Sequence, residues 1–432
     1  MRPRRVALAR RGLVLAGHTV ASALWALGGA VPVAARHGRP AARRHLARQV
    51  TRAVMRLGPT FVKAGQILGT RRDVLPTVLC NELSALRDEV PPLDPAASRA
   101  ALGAVYGAEL DRLFAEVDFT AVAGGSVACV YRARLRDGSD VAVKLRRPSI
   151  ERLMVADLAL IRHGAGLAAR LPGLRGMPVR ELVDHLCEAV LGQLDFDREL
   201  ANLERMRRNL SVLSRVWVPR PRPDLSRPGC IVMEYVSGLD VTTSERCPAV
   251  TRQTFAATTL DVMYQMLFVD GFVHCDLHPG NLYFLSTGRV VVLDAGFSVQ
   301  LTERMRRLFA TFFLNMAVGR GRRCAELVIE SALGVHGGAD TDTFLTEMAA
   351  LVERNHGLPA RDFSLISFAT AMFGLQRSHG IASAPELVFP LLSLLVIEGT
   401  VRDLDPGVDF QAAAKPILTR AVFGAPDRAA AE

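Results

Sequence analysis

Lysine is almost missing from this chain, which has only Lys63, Lys144 and Lys415 against 50 arginines. Where arginine is the default cation, a retained lysine marks a position that needs a compact ammonium rather than a planar fork. Acid is missing from the start: the first acidic residue is Asp73, and fifteen lysines and arginines precede it. The rest of the chain carries 38 bases against 43 acids, so the basic excess belongs to the N-terminal arm. No aromatic residues interleave with those arginines, and no nucleic-acid-binding module is present, which favours an anionic lipid surface over a nucleic acid as the arm's partner. The seven cysteines are scattered and include no CxxC pair, which argues against a zinc ribbon or a disulfide framework and for a reducing compartment. Half of the residues are apolar, enough for a substantial core of two or three packed layers.

A clean membrane span is lacking too. The run Gly12 to Ala35, between two arginine clusters, has the required ~20 residues, but His18, Thr19 and Ser22 interrupt it and Pro32 ends it. Residues 1–50 therefore read as an interfacial or single-pass anchor, a cleaved targeting segment or a buried helix, with membrane association favoured.

The most informative stretch is His274-Cys275-Asp276-Leu277-His278-Pro279-Gly280-Asn281, followed by Val290-Val291-Val292-Leu293 and Asp294-Ala295-Gly296. An aspartate, an asparagine five positions on and a second aspartate after an apolar strand form a phosphoryl-transfer pattern. Asp276 would orient or deprotonate the acceptor, and Asn281 and Asp294 would hold Mg2+ on the phosphates of ATP. Upstream, Ala123-Gly124-Gly125-Ser126-Val127 is a small-residue loop between strands, and a hairpin turn at Asp137-Gly138 leads to Val141-Ala142-Val143-Lys144. Small residues let backbone approach triphosphate, and Lys144 would pair with its oxygens. Ile231-Val232-Met233-Glu234-Tyr235-Val236 reads as a strand ending in a hinge, with Met233, Glu234 and Val236 placed to meet adenine.

Between these, Ile150–Arg170 and Val179–Leu213 read as helices. An acid on the second should hold Lys144, with Glu188 the first choice and Glu199 the second. A helix over 250–273 leads into the catalytic loop, and the chain after Gln300 is helical with glycine- and proline-marked breaks.

Leu57-Gly58-Pro59-Thr60-Phe61-Val62-Lys63-Ala64-Gly65-Gln66 predicts a helix capped by Thr60, with Lys63 and Gln66 on one face. Together with the later motifs, this passage resembles the KxGQ signature of the UbiB family of atypical kinases, which support isoprenoid-quinone biosynthesis. The resemblance covers roughly residues 55–410. It implies an α+β, two-lobed protein-kinase-like fold with a helical KxGQ extension over 51–118, an N-lobe over 119–236 and a helical C-lobe over 237–432. It implies Asp276, Lys144 and Lys63 as catalytic residues, with Lys63 engaged by Asp195 and suppressing protein phosphorylation. Three departures stand out: Gly124 and Gly125 where alanines are usual, Cys129 for Gln, and Gln193 for Glu. Ala295 stands in place of the usual phenylalanine, which should loosen that loop.

The implied function is an ATP-dependent, Mg2+-dependent kinase or ATPase at the cytoplasmic face of a membrane, acting in quinone or other membrane-lipid metabolism. Its expected partners are ATP and a membrane lipid or prenylated quinone precursor, with no nucleic acid; homodimer formation is left open. Rival readings are a small-molecule phosphotransferase of the aminoglycoside- or choline-kinase type and an ATP-binding pseudokinase scaffold.

Overall fold

The computed structural model describes residues 5–70, 75–84, 86, 91–168, 179–240, 243–278, 280–335, 340–358, 362–382 and 385–423. Its chain divides into two compact units, Met1–Leu200 with Pro221–Tyr235, and Ala201–Arg220 with Val236–Glu432. One boundary falls at Tyr235/Val236, inside the stretch read as a hinge.

The first unit opens with α1 (Arg5–Leu57), which is two helices joined across Gly38, where φ is +79° and ψ is 170°. That conformation breaks the helix, and Pro40 follows where the second helix begins. The halves fold back on each other. The Arg11 guanidinium reaches the Leu57 carbonyl at 2.9 Å, and a Cβ at Gly29 would collide with the His45 ring. The apolar run is therefore one arm of a helical hairpin. Among the described residues no helix is long and apolar enough to cross a membrane.

Gly58, with φ +108°, then turns the chain into α2 (Pro59–Thr70). Proline suits the first helical position, where its missing N–H has no partner to lose. Thr60 lies inside this helix and not at its cap. Its hydroxyl instead donates to Asp157 Oδ2 at 2.8 Å, while Arg11 Nε donates to Oδ1 at 2.7 Å. Asp157 is fully buried, so this carboxylate ties α1 and α2 to the helix that carries it. Gly65 allows close packing of α2 and α1: a Cβ there would lie 2.7 Å from Leu86 Cδ1 and 3.0 Å from Val54 Cγ1. After α3 (Thr77–Ser84), Asp94 caps α4 (Pro95–Tyr106) through the Ala96 and Ala97 amides.

A short α5 (Leu110–Leu113) leads to the strands β1 (Phe114–Gly124), β2 (Ala128–Leu135) and β3 (Asp140–Arg146). Then come α6 (Ile150–Ala168), which carries Asp157, α7 (Val179–Gly192) and α8 (Phe196–Leu210). The sequence suggested one helix over 179–213, but a turn at Gln193 and Leu194 interrupts it. Asp195 restarts it as an N-cap, its Oδ1 accepting from the Arg198 amide at 2.9 Å. Past β4 (Val216–Trp217) in the second unit, β5 (Cys230–Glu234) returns to the first and completes an antiparallel sheet of order β1-β2-β3-β5. Its core joins Tyr131, Val143, Leu145 and Val232 to Leu102 and Tyr106 of α4.

The second unit continues with α9 (Thr243–Arg246) and α10 (Ala249–Tyr264), then a π-helical turn, Gln265–Asp270. The expected helix to 273 stops at Gly271, which is left-handed, and β6 (Phe272–His274) begins. β7 (Leu282–Phe284), β8 (Val290–Val292) and β9 (Ser298–Gln300) follow; β4 pairs parallel to β8, and β6 antiparallel to β9. The remainder is helical: α11 (Glu303–Ala317), α12 (Gly321–Glu330), α13 (Thr341–Asn355), α14 (Leu365–Ser378), α15 (Pro385–Leu404) and α16 (Phe410–Phe423). A two-residue ribbon of β10 (Gly334–Val335) and β11 (Ile381–Ala382) is the exception. Buried Glu398 of α15 accepts the Leu365 and Ile366 amides, satisfying the open N-terminus of α14.

Replacing Asp157 with alanine strands a partly buried guanidinium and the Thr60 hydroxyl together. The expected loss is about 3–5 kcal/mol, measured by urea unfolding of the full chain, whereas Asp157→Asn, which still accepts from Thr60, should lose less.

Candidate active site

In the first unit, antiparallel pairing sets Val130 and Ile231 on either side of Lys144. Its ammonium lies 2.5 Å from Glu199 Oε1 and 5.6 Å from the centre of the Phe196 ring. The lysine side chain is 13% exposed and the glutamate 3%. A charge this deeply withdrawn from water needs its counter-ion. The partner is therefore Glu199, not Glu188, which is exposed on α7. In one continuous helix, residues eleven apart return to the same face after roughly three turns, so the two acids were hard to separate by periodicity. The break at 193–195 separates them, and the Asp195 cap puts Glu199 in the first turn of α8.

Asp195, expected to engage Lys63, is exposed and acts as that cap. Lys63 is half-buried on α2, and Gln66 donates to the Leu86 carbonyl at 3.1 Å.

The small-residue loop closes through the Gly125 amide and the Ala128 carbonyl, 2.9 Å apart. Arg147 takes two of its carbonyls, Gly125 through the side chain at 2.8 Å and Val127 through the backbone at 2.9 Å. Drawing carbonyl oxygens to an arginine removes groups that would repel a phosphate. Ala123 is exposed and Gly124 and Gly125 are half-exposed, whereas Ser126 and Val127 are buried. Met233 and Val236 are also buried, and Glu234 is half-buried at the end of β5.

In the second unit the loop expected from the sequence to be catalytic is organised around one imidazole. His274 is fully buried; its Nδ1 accepts the Asp276 amide at 3.0 Å, and its Nε2 lies 3.1 Å from the Leu293 carbonyl. Since Nδ1 must accept, the proton sits on Nε2 and donates to Leu293. Burial holds the His274 pKa below its ordinary value, favouring this neutral form. His274 therefore orients the loop, joining residue 276 to the residue before Asp294. Asn281 makes a second tie: its amide donates to the Asp276 carbonyl at 2.8 Å, and its backbone carbonyl accepts from the Leu293 amide at 2.8 Å. With Nδ2 used this way, the Oδ1 of Asn281 is the atom available to a cation.

Asp294 has φ +52°, a left-handed conformation that residues other than glycine seldom adopt; such backbone costs about 1–3 kcal/mol and collects at functional sites. Its Oδ1 accepts the Gly296 amide at 2.9 Å. Ala295 was expected to leave this loop loose. Instead its side chain is fully buried, and its carbonyl accepts from Asn202 at 3.1 Å and Ser298 at 3.2 Å. Polar anchors thus hold the register that an aromatic would hold by packing. Sequence reasoning missed Asn202 and Ser298, which carry no local signal.

Among the described residues no three His, Cys, Asp or Glu side chains group as a metal site. Asn281 and Asp294 are instead a sparse, all-oxygen donor set, which suits Mg2+ completing its shell with phosphate and water rather than a closed protein cage.

The ABC1 atypical kinase-like domain matches residues 85–328, and the UbiB helical domain matches residues 348–409. The chain belongs to the ABC1/UbiB atypical kinase-like family. The Lys144–Glu199 pair and the Asp276, Asn281 and Asp294 loops lie within the kinase-like match; Lys63 lies ahead of it. The chain is also similar to the structure of the Rv3197–erythromycin complex from Mycobacterium tuberculosis, at 20% identity and a TM-score of 0.61, over 84% of this chain and 92% of that one. At that identity the likeness speaks for the fold, the kinase-like α+β architecture expected from the sequence.

Two outcomes follow for this ABC1/UbiB chain. Glu199→Gln should weaken nucleotide binding at least tenfold by calorimetry while Glu188→Gln leaves it unchanged, a factor of ten being about 1.4 kcal/mol. Because folded His274 binds its proton more weakly than an unfolded histidine does, it contributes stability above pH ~6.5 that is lost as pH falls below that value. His274→Asn, compared with the parent in thermal melts from pH 7.5 to 5.5, should show a flatter dependence; equal slopes would remove His274 from the pH response.

Proposed function

We propose that this chain is an ATP-binding, Mg2+-dependent atypical kinase or ATPase of the UbiB type. The observation that carries the reading is the buried Lys144–Glu199 pair in a chain of this family that also retains Asp276, Asn281 and Asp294. Lys144 would neutralise phosphate oxygens, and Glu199 would keep its ammonium in place. Asn281 and Asp294 would hold Mg2+, which when bound screens the charge on the transferring phosphate. Asp276 would orient the acceptor or take its proton. Retention of all five residues favours turnover over a scaffold without chemistry.

Lys63, on the extension helix, is read as the residue that suppresses protein phosphorylation. The acceptor class is proposed to be a membrane lipid or prenylated quinone precursor, reached from the cytoplasmic face. Exposed Arg36, Arg39, Arg43 and Arg44 around the α1 turn support peripheral attraction to anionic lipid, worth about 1 kcal/mol per basic residue near such a surface. Likeness to the Rv3197–erythromycin complex suggests a second acceptor or ligand class, a bulky natural product, which the same assay can include.

The test is Mg2+-dependent nucleotide binding and ATP turnover with and without anionic vesicles and a phenolic prenyl-lipid mimic. Asp294→Asn should abolish the Mg2+-dependent part of binding, and an unchanged affinity would contradict its metal role. Lys63→Ala should raise autophosphorylation in a protein that still folds; collapse of the fold instead would make α2 purely structural.

A further inference from the structure

The antiparallel pair β6 and β9 fixes which way each carbonyl of the catalytic-loop strand points. Leu301 N–H donates to Gly271 O at 2.7 Å and Cys275 N–H to Phe297 O at 2.9 Å, while His274 stands opposite Ser298. Bonded and non-bonded pairs alternate along such a ladder. With residues 271 and 275 at bonded pairs, His274 falls at a non-bonded one and its carbonyl turns away from β9. A buried carbonyl facing away from its ladder needs another donor. Ser393 Oγ provides it at 2.7 Å. Ser393 is 1% exposed and lies on α15, within the part matched by the UbiB helical domain.

The peptide it holds is the root of the loop network, because the His274 ring ties the Asp276 amide to the Leu293 carbonyl. We infer that Ser393 is a positioning residue for Asp276, through which the UbiB helical domain completes the catalytic loop of the kinase-like domain. The inference rests on the proposed role of Asp276 in phosphoryl transfer. It assigns α15 a task in that reaction besides packing. The bond crosses 119 residues of sequence, and no local motif announces it.

Full-length Ser393→Ala, Ser393→Thr and Glu398→Gln variants test it, each followed by Mg2+-ATP kinetics and by hydrogen exchange over residues 272–282. Glu398→Gln is the control that weakens the same helical domain at α14 without touching His274. Ser393→Ala should raise exchange in that segment and lower kcat by about tenfold each, the scale of losing one buried hydrogen bond, with the KM for ATP little changed. Ser393→Thr, which keeps the hydroxyl, should restore both, and Glu398→Gln should leave exchange in that segment at the parent level. The inference is overturned if Ser393→Ala leaves that exchange unaltered, or if Glu398→Gln accelerates it equally. Absence of ATP turnover in the parent chain would defeat the proposed function instead, and the exchange comparison would still decide whether Ser393 holds the loop.

Discussion

A lysine taken out of water on the third strand of a small sheet has to be answered by an anion, and much of the first unit is arranged around that requirement. Glu199 can answer Lys144 only because α8 begins anew at Asp195, which sets the phase of the helix and turns its fourth residue inward. Phe196, at the first position of the same helix, lies beside the ammonium and excludes water. A buried ion pair is poor evidence for stability, since two well-packed apolar residues would often do better. Its retention in an arginine-dominated chain fits the phosphate-pairing role proposed for it. The pair keeps a compact positive charge in place, and Coulomb interactions there are stronger than in water.

The second unit solves a different problem, which is to hold three polar side chains on loops with little regular structure. It does so by giving loop backbone groups dedicated partners. His274, Asn281, Asn202 and Ser298 each bond a main-chain group of the two loops, and the strained φ of Asp294 persists because its surroundings are fixed. Where a kinase-like loop would use an aromatic for register, this chain uses hydrogen bonds, so the alanine at 295 does not imply a loose or inactive loop.

Local signals made part of this legible in the sequence. The spacing of Asp276, Asn281 and Asp294, the hairpin before Lys144 and the glycine-proline break before Lys63 each follow from constraints acting over a few residues. What remained hidden was non-local. Glu188 and Glu199 share a helical face until a three-residue turn intervenes. Thr60 looked like a cap because cap and buried donor use the same hydroxyl, and its acceptor Asp157 is 97 positions away. The apolar run near the start has nearly the composition of a span, yet Gly38 folds it back as a hairpin arm.

The rarity of lysine makes the central claim directly measurable. A lysine-reactive acyl-phosphate analogue of ATP, followed by peptide mapping, has only three lysines to choose among. The account predicts modification at Lys144, with Lys63 the only other site labelled, suppressed by excess Mg2+-ATP and weakened by loss of Asp294. Labelling confined to Lys415, or labelling of Lys144 that Mg2+-ATP does not suppress, would contradict it.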